Sequence, residues 1–471
     1  MKASSTIKPF LEPKSVVVVG ASRKGSSEGY FGPLEFMVRF NYPGKIYIIN
    51  PSADEIFGVR SYPRIKDLPE DVDLAVITLP RHLLIQTVNE CVESGIKAVI
   101  IYTQGLADAD DEGKALQSEI VKLANAGGVR IIGPNTFGII NAFSNFHTAF
   151  IPIEPSKTLP LAVVSQSGVP LVRVFPNAPR GGQGAIGKGI DLGNTCDIDY
   201  ADVLEYLEED QDIKVIVLYI EGLREGRRFT EVAKRVAKRK PILALKGGKG
   251  EQGAKAAASH TGALAGKQEI YKALFKQCGI IEVEELDELD DFIKAFLTLP
   301  PLKGKRIAVV SHIGFLCTTT ADACEKYGME LAVLSPKTVK KIKGLFPDWM
   351  SVKNPLDFWI TVGKVGYKEI YQLLLEAVLE DKGVDAVVCS MAAIGDETQA
   401  LDPSEILNQA AAKFTDKPIV AFIYGWHAEK WQAEIEEKGR ILGFTSADKA
   451  VKALSVLWRY NRFLREDKDN T

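Results

Sequence analysis

Short apolar, β-branched runs that stop at a glycine or asparagine, each followed by a helical pattern, recur along this chain and limit its fold more than any other feature. Residues 15–20 (SVVVVG) form the first, and 45–50 (KIYIIN), 74–78, 98–102 and 129–132 repeat it. A strand with no polar alternation is buried on both faces, as in a parallel sheet. Between these runs lie helical patterns such as Leu84, Val88, Cys91 and Val92, which share one face. Strands alternating with helices imply right-handed βαβ units.

The remainder holds a weak internal repeat. Residues 161–168 (LAVVSQSG) match 307–314 (IAVVSHIG), 215–222 (VIVLYIEG) match 386–395, and 240–247 (KPILALKG) match 417–425 (KPIVAFIYG). Three matched strands in one order predict two copies of a doubly wound fold. At roughly 150 residues per domain, the 471 residues divide into three α/β domains. The boundaries are expected at the proline-bearing stretches 151–160 and 299–305, giving domains 1–150, 151–299 and 300–471.

Composition removes several classes. A formal net charge of −3 gives no reason to expect nucleic acid. Arg224 to Lys240 is basic, but Glu225 and Glu231 dilute it, and Val232, Ala233 and Val236 fit the inner face of a solvated helix. No apolar run approaches the about 20 residues of a membrane span, and residues 1–14 carry no signal-peptide pattern. The six cysteines form no CxxC pair, which predicts reduced thiols in a cytoplasmic protein, with neither a disulfide frame nor a metal site.

The first strand runs into Gly20-Ala21-Ser22-Arg23-Lys24, a turn in which glycine lets backbone amides approach a phosphate. It is not GxGxxG, and the second strand ends in Asn50-Pro51, not in the acid that binds an NAD ribose. Arg23 and Lys24 suit a ligand with an extra phosphate, either CoA or NADP. Beyond other strand ends lie Thr78-Leu79-Pro80, Thr103-Gln104-Gly105 and Gly133-Pro134-Asn135-Thr136. Gly20, Ala21, Ser22, Arg23, Asn50, Pro51, Pro80, Gln104 and Asn135 are the candidate ligand contacts of this edge.

His260 stands apart among five histidines because small residues flank it on both sides (AAASHTGALAG), leaving room for a phosphoryl group. Thr261 and Gly262 can open a helix whose amides meet an anion. Gly247, Gly248, Gly250 and Gly253 read as a mobile loop before it. Glu221, ending an apolar strand, can hold one imidazole nitrogen protonated and leave the other nucleophilic. Ser165, Ser167 and Gly168 offer hydroxyls and helix-start amides to phosphate.

In order along the chain, VGAS at 19–22, GPN at 133–135, VSQSG at 164–168, LGN at 192–194, IEG at 220–222 and SHTGA at 259–263 resemble the NDP-forming acyl-CoA synthetase family, relatives of succinyl-CoA synthetase. The similarity is to the α subunits of its archaeal ADP-forming acetate–CoA ligases. It implies a Rossmann-like CoA-binding domain followed by two flavodoxin-like doubly wound domains. It implies that His260 takes phosphate from an acyl phosphate and passes it to ADP, with Glu221 orienting it. Gly20, Ala21, Ser22 and Arg23 would then contact CoA. No P-loop or ATP-grasp pattern is present, so the resemblance implies an ATP-grasp β subunit carrying ADP/ATP and Mg, in an α2β2 assembly. The substrate would be a small acyl-CoA and its carboxylic acid.

Departures from the family pattern are Thr136 in place of cysteine, the proline-broken stretch 176–182, and Ser311-His312-Ile313-Gly314-Phe315 in place of a small glycine-rich turn. Competing readings are a non-catalytic CoA-responsive regulatory protein of the same fold and an NADP-dependent oxidoreductase. The latter leaves the Ser-His-Thr-Gly loop unexplained. Succinyl-CoA synthetase α lacks the third domain.

Overall fold

The computed structural model describes residues 3–21, 32–149, 158–168, 186–255, 267–394, 401–438 and 440–469. These fall into two compact units, one reaching to Leu286 and the other starting at Asp287.

The first unit contains two sheets. One comprises β1 (Ser15–Val19), β2 (Lys45–Ile49), β3 (Glu55–Ile56), β4 (Val59–Tyr62), β5 (Leu74–Ile77), β6 (Ala98–Ile101) and β7 (Arg130–Ile132), in the order β3-β4-β2-β1-β5-β6-β7. All neighbours are parallel except the β3–β4 pair. Val17, Val19, Ala75, Ile77, Val99 and Ile101 point to one face. There they meet Leu84, Val88 and Cys91 of the helix Leu84–Glu93, and Ile120 and Ala124 of the helix Asp111–Ala126. The chain runs from β1 out to β2, then returns to β5 on the other side. That reversal opens a crevice beyond the strand C-termini, where doubly wound sheets bind ligands.

The second sheet comprises β8 (Ile139–Asn141), β9 (Phe146–His147), β10 (Leu161–Ser165), β11 (Lys188–Asp191), β12 (Val215–Ile220), β13 (Ile242–Lys246) and β14 (Ile281–Val283), in the order β14-β13-β12-β10-β11-β8-β9. Strands β14, β13, β12, β10 and β11 are parallel, and the β8–β9 hairpin extends the sheet beyond β11, with β8 antiparallel to it. Its order reverses between β10 and β12. The hairpin β8–β9 precedes residue 150, the expected end of the first domain, yet pairs with the second sheet. An unpaired β11 would expose a row of amides and carbonyls, and the hairpin covers it.

The basic helix Gly226–Ala237 buries Phe229, Val232, Ala233 and Val236. Its Arg228 and Arg235 pair with Asp202, Glu205 and Glu208 of the helix Tyr200–Glu209. These two guanidinium groups are neutralised within the fold. The helix Ala3–Leu11 packs on Tyr200–Glu209. The Asn141 side chain donates to the carbonyl of Leu11 at 2.9 Å.

The second unit holds β15 (Arg306–Ser311), β16 (Glu330–Leu331), β17 (Leu356–Asp357), β18 (Ala386–Ala392), β19 (Ile419–Tyr424) and β20 (Leu442–Phe444). They form a parallel sheet ordered β16-β15-β18-β19-β20, with β17 also beside β15. Ile307 and Val309 pack toward Leu316 and Leu454, while Ala308 and Val310 pack toward Tyr371 and Leu374. The helix Leu286–Thr298 falls with this unit, although the expected boundary lies at 299. Its Ala295 joins the cluster of Ile307 and Val309, so the apolar stripe follows that core.

Candidate functional site

The turn after β1 is set by Gly20, whose φ of +93° favours glycine. A Cβ there would lie 2.7 Å from a Leu79 methyl, so the strand end lies close against the loop after β5. Hydrogen bonds then link the loops along this edge. Asn50 Nδ2 donates to the carbonyl of Ala21 at 2.9 Å, and Thr78 Oγ1 to that of Val19 at 3.1 Å. Thr103 Oγ1 donates to the carbonyl of Leu79 at 2.6 Å, and the Asn135 amide to that of Thr103 at 3.0 Å. The edge therefore gathers Gly20, Ala21, Asn50, Pro80, Gln104 and Asn135. Pro51, Pro80 and Gln104 are exposed, whereas the Asn50 side chain serves backbone groups by holding Ala21 and capping Ser52. Ser22 and Arg23 lie outside the described residues.

On the second sheet, β10 and β12 end side by side with Ser165 opposite Tyr219. Ser165 Oγ accepts from the Ser167 amide at 3.0 Å and donates to the Ser167 carbonyl, forming a closed serine turn. Helical conformation starts at Gly168, where a Cβ would collide with the Phe137 ring. Gln166 Oε1 accepts from the amides of Glu221 and Gly222 at 2.7 and 2.9 Å, fixing the end of β12 to the turn. Glu221 is buried, and its Oε1 accepts from the Tyr219 hydroxyl at 3.3 Å. Gln166 thus ties the serine turn at residues 165–167 to the end of β12, where Glu221 lies.

His260, Thr261 and Gly262 lie outside the described residues, as does the proline-bearing stretch 176–182. The expected loop holds only over residues 247–250. Gly247 packs under Tyr219, and residues 251–255 are helical.

Two charged residues escaped the sequence reading. Lys246, ending β13, is buried and donates to the carbonyls of Glu221, at 3.0 Å, and of Gly247. Burial lowers its pKa, and the negative charge of Glu221 opposes that shift. Asp191, ending β11, is also buried, and its pKa rises to about 7 through desolvation. Hydrogen bonds from the Phe137 and Gly193 amides oppose the rise, and the charge of Glu221 adds to it. The available signal was a strand, KGID, that carries charge at both ends.

The two edges meet. The Asn194 amide donates to the carbonyl of Pro134 at 2.9 Å, and Asn194 Nδ2 donates to Asp108 at 2.8 Å and to Gln117 at 3.1 Å. Gly193, with φ of +56°, lets its turn close on residues 134–135, because a Cβ would lie 2.3 Å from the Pro134 carbonyl. Thr136, found where the family pattern has cysteine, donates its hydroxyl to the Asp191 carbonyl and accepts from the Gly138 amide at 3.0 Å.

The third sheet repeats the serine turn. Ser311 Oγ accepts from the Ile313 amide at 3.0 Å and donates to the Ile313 carbonyl at 2.9 Å. His312 is buried among Phe358, Trp359 and Tyr367, with its pKa lowered to about 4 by desolvation and its Nε2 unpartnered. At the C-terminal end of β19 opens a cleft of about 740 Å³ lined by Ile394, Tyr424, Trp426 and Glu429.

Residues 14–142 match the CoA binding domain family, and residues 159–296 match the succinyl-CoA ligase like flavodoxin domain. The chain is 37% identical to the alpha subunit of acetate–CoA ligase (ADP-forming) II from Pyrococcus furiosus, covering 91% of this chain and 93% of that one. It is 36% identical to the acetate–CoA ligase (ADP-forming) of Methanocaldococcus jannaschii, covering 97% of this chain but only 64% of that protein. Among solved structures, a dinucleotide forming acetyl-coenzyme A synthetase 1 from Ca. Korarchaeum cryptofilum, in complex with phosphate and ADP, superposes with a TM-score of 0.85. It is 28% identical, and the match covers 98% of both chains.

Proposed function

The chain belongs to the NDP-forming acyl-CoA synthetase family, and we propose that it is the α subunit of an ADP-forming acid–CoA ligase. The observation that carries this reading is the seam between Asn194 and Pro134, which joins a CoA-type edge to a Ser165–Glu221 crevice within one unit. Thioester chemistry and phosphate chemistry need such adjacency, since a reacting pair must be held within van der Waals reach.

In this reading CoA lies along the loops after β1, β2, β5, β6 and β7, with Gly20, Ala21, Ser22, Arg23, Asn50, Pro51, Pro80, Gln104 and Asn135 as its contacts. Asn50 acts through Ala21, whose carbonyl it holds. Inorganic phosphate attacks the acyl carbonyl, the C–S bond breaks, and CoA leaves as thiolate. Ser165, Ser167, Gly168, Thr261 and Gly262 hold the phosphate. His260 then attacks phosphorus in the acyl phosphate, releasing the carboxylate, and phosphohistidine gives the group to ADP to form ATP. Glu221 keeps the other imidazole nitrogen protonated and offsets the positive charge of the modified ring. The assembly works in the cytoplasm.

ADP/ATP and Mg belong to a partner in this proposal. The chain spans 64% of the Methanocaldococcus jannaschii relative but 93% of the Pyrococcus furiosus alpha subunit. The Pyrococcus furiosus relative is named an alpha subunit, and that name supports a partner β subunit, read here as of ATP-grasp type in an α2β2 assembly.

The test is co-expression with candidate β subunits, incubation with ADP, phosphate and a panel of acyl-CoA thioesters, and mapping of acid-labile phosphate by mass spectrometry. Label on His260, lost together with ATP formation in His260→Ala, is the expected result. CoA binding with no label under any combination would support a regulatory protein of the same fold and overturn the proposal.

A further inference from the structure

Asp191 occupies a place that the reaction scheme leaves unused. Its main chain is a node of the seam: its amide donates to the Gly138 carbonyl at 3.0 Å, and its carbonyl accepts from Thr136. Its carboxylate accepts from the Phe137 amide through one oxygen and from the Gly193 amide, at 3.2 Å, through the other. In register it lies opposite Ser165, whose carbonyl accepts from the Leu192 amide at 2.7 Å. Phe137 also bears on the serine turn, since its ring fills the space where Gly168 lacks a Cβ. One side chain thus touches the loop after β7, the turn after β11 and, through Phe137, the serine turn.

We infer that Asp191 is a positioning residue that, through its ionised carboxylate, holds residues 133–138 against the phosphate-side turn at residues 165–168. This rests on the reading of those two loops as the CoA and phosphate sides. An ionised carboxylate can accept from both amides at once, whereas a protonated one must turn an O–H toward one of them. The titratable groups that act on it are Glu221 from β12, Tyr102 from the loop after β6, and Tyr200 from the helix Tyr200–Glu209. Burial pushes both tyrosines upward, so they stay neutral. Glu221 is then the charge that favours protonation of Asp191. With its titration raised to about 7, the clasp holds above neutrality and opens as pH falls.

The experiment compares wild type with Asp191→Asn and Thr136→Val, each assembled with the β subunit. Two quantities are read from pH 5.5 to 8.5: acyl phosphate formation from acyl-CoA and phosphate, and hydrogen-exchange protection of the Phe137 and Gly193 amides. The expected wild-type rate falls on the acid side of about 7, in step with protection at both amides. Asp191→Asn should lower the rate by on the order of 10²-fold, the effect of a misplacement near 1 Å, and lose that acid limb. Affinity for CoA alone should fall far less than the rate, since Asn135 is one of nine proposed contacts. Thr136→Val, which leaves the carboxylate intact, should keep the limb.

An Asp191→Asn enzyme with the wild-type rate and pH profile overturns the inference. So does wild-type protection that stays constant across the range, a result that requires no variant to fold. A wild-type assembly that forms no acyl phosphate from any thioester overturns the proposed function instead, and exchange at the two amides still decides the clasp.

Discussion

The second and third sheets are two copies of one design that end in different chemistry. Both place a serine turn after the first strand of the copy, with the hydroxyl bonded to the residue two positions on. Strand register aligns the rest. Ser165 pairs with Tyr219, and Val310 pairs with Cys389, so Glu221 corresponds to Ala392. Ile220 pairs with Lys246, and Met391 pairs with Ile423, so Lys246 corresponds to Ile423. Gln166 corresponds to His312. At these three aligned positions the first copy carries a carboxylate, an ammonium and an amide, and the second carries alanine, isoleucine and a buried imidazole. The turn is a property of the fold, and under the proposed function the charge beside it belongs to the reaction.

Exchanging residues between the copies tests this contrast. Glu221→Ala gives the first crevice its counterpart's residue and should cut ATP formation by on the order of 10³-fold, within the range for a lost acid–base partner. A coupled ATP assay measures it, and a variant retaining full rate would mean the crevices are equivalent.

His312→Phe is expected to leave activity intact and to change stability with pH. The imidazole has a folded pKa of about 4 against an ordinary 6.5. Between these values the unfolded chain binds the extra proton, so stability falls as pH drops through that window. Removing the imidazole should recover up to about 3 kcal/mol near pH 4, read as urea midpoints at pH 7.5 and pH 4.5. Equal midpoint shifts at both pH values would contradict a buried neutral histidine.

Lys246→Ile, again the counterpart's residue, leaves the Glu221 and Gly247 carbonyls without their donor and should cost about 1–3 kcal/mol. Thermal melts report it, and an unchanged Tm would show that the ammonium does not brace this strand end. The smallest effect belongs to the other crevice. Trp426 is 88% exposed, and Trp426→Ala should shift stability by no more than about 0.5 kcal/mol. A larger loss in the same melts would show that the cleft it lines is packed.

Much of this was legible in the sequence because it rests on local pattern. The apolar runs gave the central strands of all three sheets. Gly20, Asn135, Ser165 and Glu221 could be placed because each ends a strand, and a doubly wound sheet collects strand ends on one edge. Asp191 and Lys246 were not legible. Charged strand ends ordinarily face water, and their burial depends on segments distant in sequence, residues 137–138 for the former and residues 221 and 271 for the latter. The placing of the β8–β9 hairpin was likewise not legible, since nothing local to residues 139–147 says which sheet edge it will cover. The helix Leu286–Thr298 reads as amphipathic whichever core it serves.

The first helix and the β8–β9 hairpin bear on how such a chain can be inherited. The strands between them form the first sheet, yet both flanking segments join the neighbouring layer, the helix on Tyr200–Glu209 and the hairpin on β11. A recombination event that moved only the first sheet would strip its neighbour of a covering strand and a packed helix, so the two sheets are transmitted as one piece. After Leu286 a breakpoint interrupts neither sheet. A cut placed there would leave both sheets whole, whereas a cut between the first two sheets would take strands and a helix from one of them.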